Sequence, residues 1–155
     1  MYKILMVCLG NICRSPLAHG ILSHKASIEN LPIFVDSAGT GSWHVGSAPD
    51  SRSIAVAKKH GIDISMQKAR QFNAYDFNEF DHIFVMDKSN QTDVLRLASS
   101  KVDSEKVELI LKQIKSPEVL SVPDPYYGGD QGFEYVYELL DKACQQIIEN
   151  IKIQL

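Results

Sequence analysis

The sequence predicts an α/β fold: a single doubly wound domain spanning residues 1–155, in which a four-stranded parallel sheet is flanked by helices. Short apolar runs alternate with segments of helical periodicity, which is the pattern of parallel strands joined by crossover helices. A chain of 155 residues suits one domain, and at this size folding buries roughly 70% of the unfolded surface. No internal repeat, low-complexity segment or linker divides the chain.

The first predicted strand and the first predicted helix enclose a short loop. Lys3 to Val7 is an apolar run typical of a buried strand. Pro16 suits the first turn of a helix, where no N–H is required, and Leu17, Ile21 and Leu22 give that helix an apolar face. The loop therefore joins the carboxyl end of a strand to the N-terminus of a helix.

This loop has the composition of a phosphate-binding loop with a nucleophile, Cys8, in its floor. Gly10 permits close approach of the backbone, and Asn11 tolerates the left-handed conformation that a tight loop needs. Arg14 supplies a planar fork for two phosphate oxygens. The backbone amides that can turn toward one anion are those of Leu9, Gly10, Asn11, Ile12, Cys13 and Arg14.

The spacing of Cys8, Arg14 and Ser15 favours a chemical role for the cysteine. An isolated cysteine at a strand end is most often a small buried hydrophobe. Here the helix N-terminus and the guanidinium favour the thiolate form of Cys8, which is a nucleophile. The Ser15 hydroxyl can donate to that sulfur or cap the helix, and both roles can hold at once.

The later elements continue the alternation. Strands are predicted at Ile33 to Ser37, His82 to Met86 and Val107 to Leu111. The Gly- and Ser-rich stretch from Gly39 to Ser53 is predicted as a loop on the working face.

The remaining segments are predicted helices. One carries Ile54, Val56 and Ala57 and ends near His60-Gly61, because glycine suits a C-terminal cap, and another carries Val94, Leu95 and Leu97. The last helix has the clearest periodicity, with an apolar stripe formed by Phe133, Val136, Tyr137, Leu140, Cys144, Ile147 and Ile151. Since Cys144 belongs to this stripe, we expect it to pack in the core.

The composition argues against several function classes. A formal net charge of -3, with no Lys/Arg block longer than Lys58-Lys59, indicates no nucleic-acid partner. The absence of a long apolar run predicts no membrane association and a cytoplasmic location. Three cysteines are an odd number, which favours a reducing compartment. No Cys/His set has zinc spacing, so we expect no metal and no other cofactor.

Several polar residues follow predicted strands. Ligand sites of open parallel sheets lie outside the carboxyl ends of the strands, where the strand order reverses. Cys8, Ser37, Asp87 and, after a longer excursion, Asp124 all occupy such positions, so we expect four loops to meet at one pocket. Asp87 is more typical of the N-terminal acid of a helix than of a catalytic group.

Asp124 is the candidate general acid. Cleavage of a phosphate ester by cysteine needs a proton for the departing oxygen and then a base for water, and one carboxyl group can serve both steps. Pro125 keeps Asp124 out of the helical conformation, although an isolated Asp-Pro pair is more often a turn initiator.

Two motifs carry a family resemblance. Val7-Cys8-Leu9-Gly10-Asn11-Ile12-Cys13-Arg14-Ser15-Pro16 resembles the active-site signature of the low molecular weight protein tyrosine phosphatases, and Asp124-Pro125-Tyr126-Tyr127-Gly128 resembles their general-acid loop. The similarity runs over nearly the whole chain, through Val35-Asp36-Ser37-Ala38, His60-Gly61-Ile62, Ala69-Arg70-Gln71 and Val85-Met86-Asp87-Lys88-Ser89-Asn90.

The resemblance implies metal-independent hydrolysis of protein phosphotyrosine and small aryl phosphates through a phosphocysteine. It implies that Cys8 attacks, that Asp124 donates the proton, and that Ser15 assists turnover. Further implied residues are Asn11 and Ser37, which orient the loop from behind, and Trp43, Tyr126 and Tyr127, which wall the substrate crevice. The partners expected are phosphotyrosine proteins, phosphate and oxyanion inhibitors, and the expected state is a monomer or weak dimer.

The resemblance also favours redox regulation through a reversible Cys8–Cys13 disulfide after Cys8 is oxidised. The alternative is that Cys13 only fills the interior of the loop.

Two positions depart from the family pattern. His19 stands where an acidic residue is common, and Met66-Gln67-Lys68 replaces a segment that commonly carries a histidine. The usual support pair is therefore missing. As a hypothesis, His19 pairs with Asp36 instead.

Two rival functions remain. An arsenate reductase of the same fold needs further cysteines for its disulfide relay, and none lies between Cys13 and Cys144. A non-catalytic phosphotyrosine-binding module would need a lost nucleophile or acid, whereas Cys8 and Asp124 are both present.

Overall fold

A computed structural model describes residues 1–155 and centres on a sheet of four parallel strands in the order β2–β1–β3–β4. The strands are β1 (Tyr2–Cys8), β2 (Ile33–Gly39), β3 (His82–Val85) and β4 (Val107–Leu109). The four predicted strands and their parallel arrangement are confirmed.

Two predicted strands end earlier than expected. Ile110–Gln113 forms a 3-10 helix, so the prediction of a strand through Leu111 is wrong at its end. Ile110 and Leu111 are fully buried, and a buried apolar run does not distinguish a strand from a short helix. Met86 likewise lies just beyond β3.

Helices fill the intervals between the strands. They are α1 (Arg14–Ile28), α2 (Ser51–Lys59), α3 (Asp76–Glu79), α4 (Lys88–Leu95), α5 (Lys101–Glu105) and α6 (Asp130–Gln154). Gly61, with φ of 80°, follows α2 as predicted, whereas Leu97 lies beyond α4. The predicted loop from Gly39 to Ser53 was too long at both ends, because Gly39 completes β2 and Asp50 caps α2. None of these helices combines the length and apolar character that crossing a bilayer requires.

The sheet has helices on both faces, which confirms the doubly wound architecture. On β1, Ile4 and Met6 point into a core shared with α1 and α6, while Leu5 and Val7 belong to a second core with α3 and α4. Full burial of one such side chain contributes roughly 1.5–3 kcal/mol. The predicted stripe of α6, including Cys144, lies in the first core.

The strand order brings four loops to one edge of the sheet. β1 pairs with β2 on one side and β3 on the other, so the chain reverses its winding direction at β1, and the loop after Cys8 lies at this reversal. Asp87 follows β3 at the same edge. The Val122 N–H donates to the Met86 carbonyl at 2.8 Å, which brings the segment before Asp124 there as well.

Candidate active site

The loop after β1 presents a series of free backbone donors. None of the N–H groups of residues 9–14 donates a hydrogen bond within the protein. Asn11 has φ of 56°, which confirms the left-handed conformation expected for it. Cys13, the N-cap of α1, makes no side-chain capping bond, so the first amides of the helix stay available too. Such a set of donors at a helix N-terminus binds anions.

The Cys8 sulfur is held by a buried hydrogen-bond network. Ser15 Oγ lies 3.0 Å from Cys8 Sγ, and Asn11 Nδ2 donates to Ser15 Oγ at 2.7 Å and to Ser37 Oγ at 3.0 Å. Since Ser15 Oγ already accepts from Asn11, its own proton can be donated to the sulfur. The Ser15 hydroxyl therefore contacts the Cys8 sulfur, with the Ala38 carbonyl at 3.4 Å as a second possible acceptor, and it does not cap α1.

Arg70 anchors the same network from outside the loop. Its backbone N–H donates to Asn11 Oδ1 at 3.0 Å. Its guanidinium pairs with Asp36 at 3.2 Å and with Asp76 at 3.1 Å. Asn11 thus uses both ends of its side chain amide, and the turn of the loop is tied to β2 and to the segment before α3.

Two glycines make room for the loop. A Cβ on Gly39 would lie 2.7 Å from the Leu9 carbonyl oxygen and 3.0 Å from the Asn11 nitrogen, so only glycine lets the loop pass over the end of β2. A Cβ on Gly10 would meet His44 Cδ2 at 3.1 Å. His44, which lines the site, therefore limits the space beside Gly10, and the close approach of Gly10 to a ligand stays a prediction.

Arg14 is a buried, fully oriented cation. Its Nη1 donates to Asp87 Oδ2 at 2.7 Å and to the Val122 carbonyl at 3.0 Å, and its Nη2 lies 3.7 Å from Asp124 Oδ2. Burial alone lowers the pKa of Arg14, but the charges of Cys8, Asp87 and Asp124 outweigh it and raise that pKa. Asp87 also caps α4, so the helix role expected for it is confirmed, and it orients Arg14 in addition.

The candidate residues surround one cavity of about 360 Å³. Those that line it are Cys8, Leu9, Gly10, Ile12, Cys13, Arg14, Trp43, Asp124, Tyr126 and Tyr127, joined by His44. Asn11, Ser15 and Ser37 lie behind the loop. The side chains of Trp43 and Tyr127 are 73% and 95% exposed, as expected for a surface that contacts a partner. The Tyr126 N–H donates to Asp124 Oδ1 at 3.0 Å.

Cys13 differs from Cys8 in its electrostatic surroundings. Burial, reinforced by the negative charges of Asp50, Cys8 and Asp124, raises the pKa of Cys13 to about 12. Cys144 is fully buried, with its sulfur 3.7 Å from the Ala18 carbonyl, which confirms its packing role. All three cysteines are free thiols.

The hypothesis that His19 pairs with Asp36 is wrong. His19 Nδ1 lies 3.3 Å from Ser37 Oγ, whereas the Asp36 carboxylate pairs with Arg70. Neighbouring residues in a strand point to opposite sides of the sheet, and His19 in α1 meets the side of β2 that carries Ser37. Gln67 Nε2 donates to the Pro16 carbonyl at 3.1 Å, so both departures from the family pattern lie behind the loop.

Sequence reasoning missed three contributors to the site. His44 lines the cavity, Arg70 holds Asn11, and Arg52 contacts the loop that carries Asp124. Arg70 was noted only within a motif, and nothing in the spacing of Arg52 or His44 pointed to the cavity. The one available signal was the position of Trp43-His44 in a Gly- and Ser-rich loop.

The arrangement can bind one tetrahedral oxyanion and attack it. The backbone amides of residues 9–14 and the Nε edge of Arg14 can supply hydrogen-bond donors. Cys8 can supply a nucleophile, and Asp124 can supply a group that transfers a proton. No group of three or more His, Cys, Asp or Glu side chains comes together in a way that could hold a metal ion.

Comparisons with known proteins agree with this chemistry. Residues 3–155 match the family described as low molecular weight phosphotyrosine protein phosphatase. A Schizosaccharomyces pombe protein of that description is 40% identical over 96% of each chain. A protein tyrosine phosphatase from Entamoeba histolytica, solved with HEPES in its active site, is 35% identical over 99% of each chain with a TM-score of 0.94. A Drosophila arginine phosphatase is 36% identical, covering 97% of this chain and 98% of its own, with a TM-score of 0.91.

Proposed function

Because the chain belongs to the family of low molecular weight phosphotyrosine protein phosphatases, we propose that its phosphotyrosine hydrolysis is carried out by Cys8, Arg14, Asp124 and Ser15. The family shows the activity: the protein is a cysteine-dependent protein-tyrosine phosphatase. The observation that supports these residues is a loop of free backbone amides that follows a cysteine whose sulfur lies 3.0 Å from the Ser15 hydroxyl oxygen.

In the first step the Cys8 thiolate attacks phosphorus. An S–P bond forms while the P–O bond to the tyrosyl oxygen breaks, and Asp124 transfers its proton to that oxygen. The amides of residues 9–14 and the Arg14 fork hold the equatorial oxygens, whose negative charge they stabilise in the transition state. Asp87 keeps the guanidinium in the orientation that this contact needs.

In the second step water hydrolyses the phosphocysteine. The Asp124 carboxylate removes a proton from water, the water oxygen attacks phosphorus, and the S–P bond breaks to release phosphate and the thiolate. Ser15 donates its hydroxyl to the leaving sulfur. One carboxyl group thus acts first as an acid and then as a base.

The substrates are phosphotyrosine proteins and small aryl phosphates. Support comes from the walls of the cavity, where Trp43, Tyr126 and Tyr127 line the same cavity as Cys8, a residue that is 2% exposed. Because Cys8 is buried, we expect the long aryl side chain of phosphotyrosine to reach it and the shorter phosphoserine not to reach it. Phosphate and related oxyanions inhibit by occupying the same amides. We also propose a cytoplasmic location, because a reducing compartment keeps the three free thiols reduced.

Hydrolysis of an aryl phosphate in EDTA by wild type and Cys8→Ser tests the assignment. We expect Cys8→Ser to lose turnover while it still binds phosphate or vanadate, because the amides survive and only the nucleophile is lost. Cys144→Ser, which changes a buried cysteine outside the site, is the matched control and should stay active. Activity of Cys8→Ser within about tenfold of wild type would contradict the mechanism.

The same assay distinguishes the phosphatase from the two rival functions, an arsenate reductase and a non-catalytic phosphotyrosine-binding module. A burst of phenolate supports a phosphoenzyme, thiol oxidation by arsenate would support a reductase, and binding without turnover would support a phosphotyrosine-binding module. Because one structural relative is an arginine phosphatase, phosphoarginine should be compared with phosphotyrosine. Preferential hydrolysis of phosphoarginine would overturn the substrate class.

Asp124→Ala should show the loss of a general acid. With phenyl phosphate we expect kcat to fall by about 10²–10⁴-fold, and with esters of better leaving groups to fall less, because only a poor leaving group needs the proton. Asp130→Asn, at an exposed aspartate that begins α6, is the control. An equal loss across a series of leaving groups would show that Asp124 is not the acid.

A further inference from the structure

The loop that carries Asp124 is hydrogen-bonded to the rest of the protein through one side chain. Within residues 123–128 the hydrogen bonds are local: Gly128 N–H to the Pro125 carbonyl at 2.9 Å, and Tyr126 N–H to Asp124 Oδ1 at 3.0 Å. The two hydrogen bonds that join this segment to another element both come from Arg52 in α2. Its Nη2 donates to the Tyr126 carbonyl at 2.8 Å, and its Nη1 donates to the Gly128 carbonyl at 3.0 Å.

Arg52 is itself held in place from two sides. Asp50 accepts from Arg52 Nε and Nη2, each at 3.0 Å, which is a bidentate pair. The guanidinium carbon lies 4.6 Å from the centre of the Phe133 ring in α6 and 5.7 Å from that of Tyr126. The guanidinium therefore has a carboxylate, two backbone carbonyls and two aromatic rings as neighbours, so its orientation is set before substrate arrives.

The first turn of α2 is also joined to the phosphate-binding loop. The Asp50 N–H donates to the Ile12 carbonyl at 2.8 Å, and Ser53 Oγ donates to the Cys13 carbonyl at 3.2 Å. The same turn therefore contacts the loop of Cys8 through the Asp50 N–H and the Ser53 hydroxyl, and the loop of Asp124 through Arg52.

From this connection we propose that Arg52, oriented by Asp50, is a positioning residue that sets the distance between the proton donor Asp124 and the nucleophile Cys8. The proposal rests on the assignment of Asp124 as the acid. Arg52 holds the Tyr126 peptide by its carbonyl, and the N–H of that residue holds the Asp124 carboxylate. Without Arg52, the 3.7 Å ion pair with Arg14 is the remaining polar contact that draws Asp124 toward the cavity.

This role has a specific kinetic consequence. A misplaced acid affects only the transfer of a proton to the leaving group, whereas the amides and Arg14 still bind the phosphoryl group. In Arg52→Ala we expect kcat with phenyl phosphate to fall by about 10- to 100-fold, the scale of a displacement of about 1 Å. The loss should shrink as the leaving group improves, and vanadate affinity should stay within about twofold of wild type.

Lys58→Ala is the matched control, since it removes one cation from the same helix at an exposed position. We expect it to keep wild-type kinetics. Asp50→Asn keeps an oxygen that can cap α2 but removes the charged bidentate pair, and it should give a smaller loss with the same dependence on the leaving group. Arg52→Lys should recover part of kcat, because a lysine can reach one carbonyl but not both.

The double variant Arg52→Ala, Asp124→Ala makes the test decisive. If Arg52 acts through Asp124, the double variant is no slower than Asp124→Ala alone. An additive loss, a uniform loss across leaving groups, or a parallel fall in vanadate affinity would each overturn the proposal, since a general structural role produces those results. If Asp124→Ala alone shows no dependence on the leaving group, the acid assignment fails, and this outcome is distinct from a failure of Arg52.

Discussion

Asn11 joins three distant parts of the chain through one buried side chain. Its amide nitrogen contacts Ser15 in α1 and Ser37 in β2, and its oxygen contacts the backbone of Arg70. Each buried polar partner left unpaired costs about 1–3 kcal/mol, and a non-glycine residue in the left-handed conformation costs roughly 1–2 kcal/mol more. The hydrogen bonds outweigh the strain, which is why asparagine suits this position better than alanine.

Cys13 should form a reversible disulfide with Cys8 after oxidation. Peroxide converts the Cys8 thiolate to a sulfenic acid, the Cys13 thiolate attacks that sulfur, and water leaves after one proton is taken up. Because the pKa of Cys13 is raised to about 12, little of it is thiolate at neutral pH. The closure rate should therefore rise about tenfold per pH unit between about pH 7 and pH 9.

Competition between disulfide formation and trapping of the sulfenic acid by dimedone measures that rate, with mass spectrometry for the linkage. Bound phosphate should protect Cys8, and a dithiol should restore activity. Cys144→Ser is the control and should behave as wild type. Recovery of Cys13→Ser as complete as that of wild type, or the absence of a Cys8–Cys13 linkage, would disprove the protective role.

At the level of elements, α1 and β2 meet through a polar contact directly behind the phosphate-binding loop. His19 in α1 faces Ser37 in β2. Burial lowers the pKa of His19, and the charge of Asp36 and the neighbouring Gln67 side chain oppose this shift without overcoming it. The contact between the two elements is therefore made with a neutral imidazole, which can accept a hydrogen bond through Nδ1 from Ser37.

The burial of His19 should make folding stability depend on pH. The unfolded chain protonates His19 near its ordinary pKa of 6.5, whereas the folded protein resists protonation. The unfolded state therefore binds more protons as the pH falls below about 6.5, and stability is lost in that direction but unaffected above it.

His19→Gln should remove the pH-dependent part of folding stability that His19 contributes. The Tm of this variant should therefore fall less than that of wild type between about pH 7.5 and pH 5.5. His24→Gln, at an exposed position in the same helix, provides the control and should follow wild type. Parallel Tm curves for wild type and His19→Gln would refute the linkage.

At the scale of the whole molecule, both cores lie against one sheet. The accessible surface is 8049 Å², close to the value of about 7,800 Å² typical of a monomeric protein of 17.3 kDa. That residues 1–155 form one phosphatase domain, and that the protein is a monomer or weak dimer, both stay predictions. β1, β2 and β3 each contribute residues to both cores, so neither core can open without exposing the other.

One domain should unfold in one cooperative step. We expect far-UV circular dichroism, near-UV circular dichroism and activity to be lost together, with calorimetric and van't Hoff enthalpies that agree near about 110 kcal/mol. Sedimentation equilibrium should give the monomer mass at micromolar concentration. A van't Hoff enthalpy well below the calorimetric value would indicate two separate units.

Much of the fold could be predicted because the sequence patterns that indicate its strands and helices are local. The apolar run of β1 and the stripe of α6 follow from periodicity within a few turns or strand residues. The end of β4 could not be predicted, because Ile110 and Leu111 are equally buried as a strand or as a 3-10 helix. A local hydrophobic pattern indicates that residues are buried, but it does not distinguish between two buried backbone conformations.

The sequence by itself determined the loop that carries the proposed nucleophile, because Cys8, the left-handed Asn11 and Arg14 belong to one continuous segment whose backbone geometry is local. Only the tertiary structure decided what surrounds that loop. Asp87 reaches Arg14 across 73 residues, and Arg52 reaches the Tyr126 carbonyl across 74. Such contacts depend on strand order and on which side of β2 a residue occupies, and for that reason His19 meets Ser37 and not Asp36.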